Sequence, residues 1–153
     1  MANNRLVLNV DVKNNNELIP QLDNSDYFQL SNQNCSRKEL FNFALALGYK
    51  RGYPTELEKR VSLIRREVLA NDKYLYMSVF FKESLEGDLN NIDKISDEGE
   101  VFSIVENYVN TGFSVLKDHM KDLKDEELMY LLIKEMDESY KDYLEDFKNN
   151  QIE

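Results

Sequence analysis

The fold prediction starts from one stretch of the sequence, Ser36-Arg37-Lys38-Glu39-Leu40-Phe41-Asn42-Phe43-Ala44-Leu45-Ala46-Leu47-Gly48-Tyr49-Lys50-Arg51-Gly52-Tyr53-Pro54. Ser36 followed by Glu39 is a capping box, in which a hydroxyl and a carboxylate each accept a backbone N–H at the start of a helix. Asn42 is the one polar residue from Leu40 to Leu47, so this helix is apolar almost all round and belongs in the core. Gly48 is predicted to end the helix in the left-handed conformation.

A second helix is predicted to begin near Asp97 and Glu100, because negative charge is favoured at a helix N-terminus. Gly112 lies within its apolar row and is predicted to be a point of close helix contact, since an interior Gly otherwise costs about 1 kcal/mol against Ala. The apolar row comprises Val101, Phe102, Val105, Tyr108, Val109, Phe113 and Leu116. The predicted core comprises Leu40, Phe41, Phe43, Ala44, Leu47, Val105, Tyr108, Gly112 and Leu116.

Three further segments complete the helical prediction. Glu56–Ala70 is weakly amphipathic and is predicted to be a helix. The apolar residues of Lys73–Leu85 recur at helical spacing, so a helix is predicted there as well. Gly87–Ser96 is expected to form a loop. The predicted apolar face of the second segment is Tyr74, Met77, Ser78, Phe81 and Leu85. After a break at Lys121–Lys124, the last helix is predicted over Asp125–Phe147. Its apolar stripe is Leu128, Leu131, Leu132, Met136, Tyr140, Tyr143, Leu144 and Phe147.

The N-terminal segment Arg5–Val12 alternates apolar and polar residues, which predicts a half-buried strand. A lone strand must pair with another segment, cover the helices or join a partner's sheet. We expect Tyr27, Phe28 and Leu30 to hold the following loop against the body. The predicted fold class is mainly α, a compact bundle of about five helices with a short N-terminal β element. The predicted single domain, 1–153, comprises a strand-plus-loop arm (1–35), a helical body (36–148) and a frayed tail (149–153).

The net charge of −10 is unevenly distributed along the chain. Residues 37–73 hold nine Lys and Arg against five acidic residues, whereas residues 83–153 hold seven Lys against twenty acidic residues. A charged run is usually a solvated face, but a basic region also suits nucleic acid or an acidic protein surface. An isoelectric point near 4.7 disfavours independent DNA binding, because the field of the whole protein repels phosphate.

Motif searches give no catalytic signature: the phosphate-binding, hydrolase, zinc and EF-hand patterns are absent. Cys35 and His119 are single residues far apart in sequence, so no pattern supports a Cys–His nucleophile. We interpret Cys35 as a loop residue and His119 as a residue near a helix end. The acidic clusters, Asp122/Asp125/Glu126/Glu127 and Asp137/Glu138/Asp142, are interpreted as solvated helix faces. No metal or cofactor is therefore predicted, and a metal-dependent nuclease using these acids is the enzymatic rival to a non-enzymatic protein.

The turn from Gly48 to Pro54 combines two glycines, two cations and two tyrosines. This combination suits phosphate and base contacts and equally suits a protein hot spot. An ordinary helix C-terminus, with cations that complement the helix dipole, explains the same residues. The candidate partner- or nucleic-acid-binding residues are Tyr49, Lys50, Arg51, Tyr53, Arg60, Arg65 and Arg66.

Two motifs are similar to a known family. They are Glu39-Leu40-Phe41-x-Phe43-Ala44-x-Ala46-Leu47-Gly48-Tyr49 with its basic Gly52 turn, and Glu106-Asn107-Tyr108-Val109-Asn110-Thr111-Gly112-Phe113-x-x-Leu116. They resemble small accessory proteins found with bacterial DNA phosphorothioation (Dnd) defence systems, although Val109 replaces the Ala of that pattern. The resemblance covers Leu40–Leu116 and brings no catalytic residues. It implies an accessory component of anti-phage defence that works with larger proteins of the system.

These observations predict a non-catalytic interaction subunit, with a nucleic-acid-binding module as the alternative. A homodimer is also expected to be possible, either by pairing the Leu6–Val12 strands or by seating the basic region against the acidic helices of a second copy. No run of 18 apolar residues and no signal pattern are present. The sequence therefore predicts a cytoplasmic protein that is not associated with a membrane.

Overall fold

The structure, a computed structural model, describes residues 5–24, 36–86 and 88–150. Within these residues it contains five α-helices and one two-stranded antiparallel sheet, which confirms the mainly α fold class. The elements are β1 (Val7–Asp11), α1 (Ile19–Asp23), α2 (Arg37–Arg51), β2 (Arg60–Arg65), α3 (Asp72–Phe80), α4 (Glu98–Asp122) and α5 (Asp125–Asn150). The chain divides into two compact units, Met1–Lys117 and Asp118–Glu153.

The predicted strand pairs with a segment that the sequence analysis assigned to a helix. Val7–Asp11 runs antiparallel to Arg60–Arg65, so the helix prediction for Glu56–Ala70 is wrong. Inward-facing Leu8 lies opposite Ile64, and both are buried. A lone strand needs a hydrogen-bonding partner, and this demand outweighs a weak helical period in a segment that carries β-branched residues.

Helix α2 begins as predicted but ends four residues later. Ser36 Oγ accepts the N–H of Glu39 at 3.2 Å, and the Glu39 carboxylate accepts the N–H of Ser36 at 2.6 Å. The prediction that Gly48 ends the helix is wrong, because Gly52 is the left-handed residue, with φ 82°. Gly48 is instead a buried contact position inside the helix.

Helices α2 and α4 cross with their backbones in contact. A Cβ on Gly48 would overlap the carbonyl oxygen of Tyr108, and one on Gly112 would overlap the carbonyl oxygen of Ala44. The prediction that Gly112 is a point of close contact is therefore confirmed. The predicted core residues of both helices are buried except Phe43, which is half-buried.

Helical backbone covers Lys73–Leu85 as predicted, in α3 and in the π-helical turn that follows it. Leu85 of the predicted face is buried, but the inward-facing residues of α3 differ from those predicted. Tyr76, Val79 and Phe80 are buried, whereas the predicted Tyr74 is 60% exposed. The Tyr76 hydroxyl donates to Asn42 Oδ1 at 2.7 Å, which satisfies the one polar side chain of the apolar run in α2. Phe41 and Phe102 pack edge-on against the Tyr76 ring. The buried residues are offset by two positions from Tyr74, Met77 and Ser78 of the predicted face. Tyr and Phe occur on both faces, so the apolar pattern alone did not distinguish them.

The prediction that Gly87–Ser96 forms a loop is wrong for Leu89–Ser96, which is helical. A π-helical turn, Phe81–Leu85, continues from α3, and a kinked 3₁₀ segment, Leu89–Ser96, leads to α4. Asp97 Oδ1 then accepts the N–H of Gly99 at 2.9 Å, as the predicted helix start requires. Every apolar residue of the predicted α4 row is buried.

The second unit contains the end of α4 and the whole of α5. Leu128 and Leu132 are buried, but Met136, Tyr140, Tyr143 and Phe147 of the predicted stripe are exposed. The stripe therefore extends well beyond the buried part of the helix.

Some predictions fall outside the described residues, namely those for Tyr27, Phe28, Leu30 and Cys35. Of the helices that the structure describes, none is both long enough and apolar enough to cross a membrane.

Candidate interaction surface

The seven predicted binding residues are all exposed, but they fall into separate groups along the chain. Tyr49, Lys50, Arg51 and Tyr53 form one continuous group, which we call the Tyr49–Tyr53 turn. Arg60 and Arg65 are the two ends of β2, about 16 Å apart for an extended strand. Arg66 follows directly and donates to Glu98 Oε1 through two nitrogens, at 2.6 and 3.2 Å.

The first residue of the Tyr49–Tyr53 turn packs against a tyrosine of α4. The Tyr49 ring packs edge-on against the Tyr108 ring, with centroids 5.3 Å apart. The Tyr108 hydroxyl donates to Glu83 Oε2 at 2.6 Å, and burial together with this hydrogen bond raises the pKa of Tyr108. Tyr49 is 37% exposed and packs one side of its ring against the core, whereas Tyr53 is 57% exposed.

Polar side chains of α4 hold the loop that follows the turn. Thr111 Oγ1 donates to the carbonyl of Tyr53 at 2.9 Å and lies 2.8 Å from Thr55 Oγ1. The Asn110 amide donates to the carbonyls of Thr55 and Glu56, at 3.2 Å each. Because these side chains come from a buried helix, they fix the backbone of the loop and hence the direction of Tyr53.

Asp11 holds the other end of the same loop. Its carboxylate accepts the N–H groups of Glu58 at 2.7 Å, of Lys59 at 3.3 Å and of Lys13 at 2.9 Å. Burial acts to raise the pKa of Asp11, but the three backbone donors outweigh it and hold the pKa below its ordinary value. The charged form of Asp11 is therefore a structural part of this loop.

Glu106 is a fully buried carboxylate that joins the sheet to α4. It accepts Arg5 Nη2 at 2.6 Å, Arg5 Nη1 at 3.1 Å, the N–H of Asn9 at 2.7 Å and Arg60 Nη1 at 3.4 Å. Burial raises the pKa of Glu106, and the Asn9 amide and the two guanidinium groups offset part of that rise. Arg60, predicted as a binding residue, is thus also part of an internal ion-pair network.

Glu106, Asn110 and Thr111 have a structural role that was not predicted from the sequence. All three are buried polar residues in an otherwise apolar row. Glu106 and Asn110 are four residues apart and share one side of α4, and Thr111 is the next residue. Their hydrogen bonds reach β1 and the loop after the Tyr49–Tyr53 turn. Polar residues inside a strongly apolar helical pattern are the signal that could have revealed these anchors.

Two features of the structure concern the alternative hypothesis of a metal-dependent nuclease. Within residues 5–24, 36–86 and 88–150, no group of three or more His, Cys, Asp or Glu side chains is arranged to hold a metal ion. A recess of about 560 Å³ lies between the end of α3 and the start of α4, and Asp97 and Glu100 line it. Asp97 is already engaged as the cap of α4.

His119 lies in the last turn of α4, as predicted, with Nε2 3.8 Å from Glu135 Oε1.

Comparison with known proteins identifies the family. The model of the family described as DNA sulphur modification system-associated protein 4 matches residues 12–151. The chain belongs to this family. The predicted resemblance to Dnd-associated accessory proteins is therefore confirmed. No curated protein and no solved structure matches the chain. The matched residues include the Tyr49–Tyr53 turn, the loop after it and the buried polar residues Glu106, Asn110 and Thr111 of α4.

Proposed function

We propose that this protein is a non-catalytic accessory subunit of a bacterial DNA sulphur modification system with a role in anti-phage defence. It acts by binding larger proteins of that system. The family description supports the setting, because it names an association with DNA sulphur modification. The Tyr49–Tyr53 turn is the proposed docking site.

The observation that carries this proposal is an exposed tyrosine and two cations on a backbone that is already fixed. Tyr53 is 57% exposed, while its own carbonyl accepts a hydrogen bond from buried Thr111. Aromatic and arginine side chains dominate the energetics of protein interfaces, and a preorganised loop loses little entropy on binding. Lys50 and Arg51 extend the same exposed group at the end of α2.

Nucleic acid is the alternative ligand for the same residues. Tyrosine rings can stack on bases, and cations can contact phosphates. The net charge of −10 favours protein, because the long-range field of the chain opposes the approach of a polyanion.

Co-purification from a bacterium that expresses the complete system tests the proposal. The tagged chain is expected to recover one or more larger proteins of the system, and Lys50→Glu with Arg51→Glu is expected to abolish that recovery. The matched control is Lys82→Glu with Lys94→Glu, an equal charge change at exposed positions elsewhere. Recovery that is equal for both double variants would contradict the proposed docking site, and recovery of no system protein by the unaltered chain would contradict the function.

A further inference from the structure

Helix α5 carries an exposed apolar row that the fold does not use. We call this row the α5 seam, and it comprises Ile133, Met136, Tyr140, Tyr143 and Phe147. Each of the five side chains is between 49% and 61% exposed. The seam differs from the face that carries Leu128 and Leu132, both of which are buried. A contiguous apolar patch of this kind marks an interaction site in a protein of this size.

The spacing of the seam specifies the shape of its ligand. Successive seam residues are three, four, three and four positions apart, which is the repeat of a coiled-coil contact line. Side chains at this spacing fit as knobs between four residues of a facing helix. From Ile133 to Phe147 the seam is about 21 Å long, so it offers two full heptads to a partner helix.

The charge of α5 specifies the chemistry of that helix. From Asp125 to Asn150 the chain carries nine acidic residues and three lysines. Lys141 is 2.7 Å from Asp137, and Lys134 is 4.0 Å from Glu138, so two of the lysines already face acids of their own helix. Two copies of α5 packed along their seams would bring acidic surfaces together, which destabilises such a pair.

We propose that the α5 seam binds a basic amphipathic helix of a partner protein. The partner presents apolar residues at alternating three- and four-residue intervals, flanked by Lys or Arg. Knob packing supplies the contact area. Asp137 and Asp146 lie at the positions that flank the contact line, so they and the net negative charge of α5 attract the basic flanks and reject acidic helices. This inference rests on the proposed function, an interaction subunit, and gives it a second binding surface apart from the Tyr49–Tyr53 turn.

Binding of synthetic peptides to the full chain, followed by fluorescence anisotropy, tests the inference. The first peptide has three heptads with Ile and Leu on the contact line and Lys at the flanking positions. The second replaces each Lys with Glu, and the third has the composition of the first in scrambled order. We expect the first peptide to bind at least tenfold more tightly than the other two.

A variant of the chain tests whether binding occurs at the seam. Tyr140→Gln with Tyr143→Gln introduces residues that favour helix and leaves every charge in place. We expect this double variant to bind the first peptide at least tenfold more weakly than the unaltered chain does. Tyr74→Gln is the matched control, because Tyr74 is 60% exposed on α3, and it is expected to leave binding unchanged. Circular dichroism of each variant checks that α5 remains helical.

Several results would overturn the inference. Equal binding of the first and scrambled peptides would show that charge attraction alone causes the binding. Equal binding of the Lys and Glu peptides would contradict the proposal that the partner helix is basic. A concentration-dependent dimer lost in the Tyr140/Tyr143 variant would assign the seam to a second copy. Binding to anionic vesicles lost in that variant would assign it to a membrane. If the peptides fail while the tagged chain still recovers system proteins, the seam proposal alone fails.

Discussion

Gly48 and Gly112 show how the absence of one carbon atom can set the distance between two helices. Each lies where a Cβ would overlap a carbonyl oxygen of the facing helix. Ala is the better helix former by about 1 kcal/mol, so propensity alone favours replacing both glycines. The backbone contact opposes that replacement, because backbone carbonyls cannot move aside as a flexible side chain can.

The first prediction is that Gly48→Ala lowers the free energy of unfolding by about 1–3 kcal/mol or more, as overpacking does in other cores. Gly112→Ala is expected to behave in the same way. Ala46→Ser, at an exposed position of α2, is the control and should have a small effect. Urea denaturation measures all three, and a Gly48→Ala protein more stable than the unaltered chain would refute the close crossing.

The second prediction concerns Asp11. Asp11→Asn removes the charge that accepts three backbone N–H groups, and it should cost about 1–3 kcal/mol at neutral pH. Since the folded-state pKa of Asp11 is depressed, its stabilising effect is present above the ordinary pKa of 3.8 and is lost as pH falls through the folded value. Denaturation curves across this range should show the two proteins converging below pH 3.8. A constant difference at every pH would contradict the assignment.

At the scale of elements, β1 is held on two sides. Hydrogen bonds to β2 satisfy one edge, and Glu106 accepts the N–H of Asn9 on the other. The expected pairing of Leu6–Val12 across a dimer axis would use the outer edge of this strand, where Glu106 accepts the N–H of Asn9.

The third prediction compares two ion pairs of equal length. Arg5–Glu106 and Lys13–Glu58 both measure 2.6 Å, but Glu106 is fully buried and Glu58 is 72% exposed. Glu106→Gln should cost about 3–5 kcal/mol, because it leaves the largely covered Arg5 guanidinium without its carboxylate partner. Glu58→Gln is the control and should change stability little, since exposed pairs are screened by solvent.

A double-mutant cycle completes the comparison. Arg5→Met combined with Glu106→Gln should cost less than the sum of the two single changes, because the second change removes the charge that the first left unpaired. Strict additivity would mean that the two side chains do not interact.

The elements that the sequence predicted well are those whose patterns are strong on their own. The capping box of α2 and the long apolar row of α4 needed no other segment to be recognised. β2 was predicted as a helix because its strand conformation depends on hydrogen bonds with β1. That partner lies about fifty residues away in sequence. A local pattern does not contain that information.

The candidate site divides in the same way. Residue types alone identified the Tyr49–Tyr53 turn, because glycine, cations and tyrosines are adjacent in the chain. The roles of Asn110 and Thr111 were not predicted, because both side chains donate to backbone carbonyls. A backbone carbonyl is present at every residue, so the sequence does not show which ones are hydrogen-bonded. Arg60 and Arg66 were predicted as binding residues, and their ion pairs with Glu106 and Glu98 could be found only from the fold.

At the scale of the whole molecule, the uneven charge leads to a fourth prediction. The full chain should bind duplex DNA weakly, and its affinity should lack the steep fall between about 50 and 200 mM salt that several phosphate contacts produce. Lys50→Glu with Arg51→Glu should therefore change little in this titration. A steep slope that this double variant abolishes would favour the nucleic-acid-binding module over the protein-binding subunit.

Site-specific crosslinking at Tyr53 in the native host identifies the molecule that the Tyr49–Tyr53 turn contacts. A photoreactive phenylalanine analogue replaces Tyr53 in a cell that expresses the complete system, and mass spectrometry identifies the adduct after illumination. We expect a covalent adduct with a larger protein of the DNA sulphur modification system, and none when the same analogue replaces Tyr74. An adduct with DNA alone, or no adduct at Tyr53, would contradict the proposed docking site.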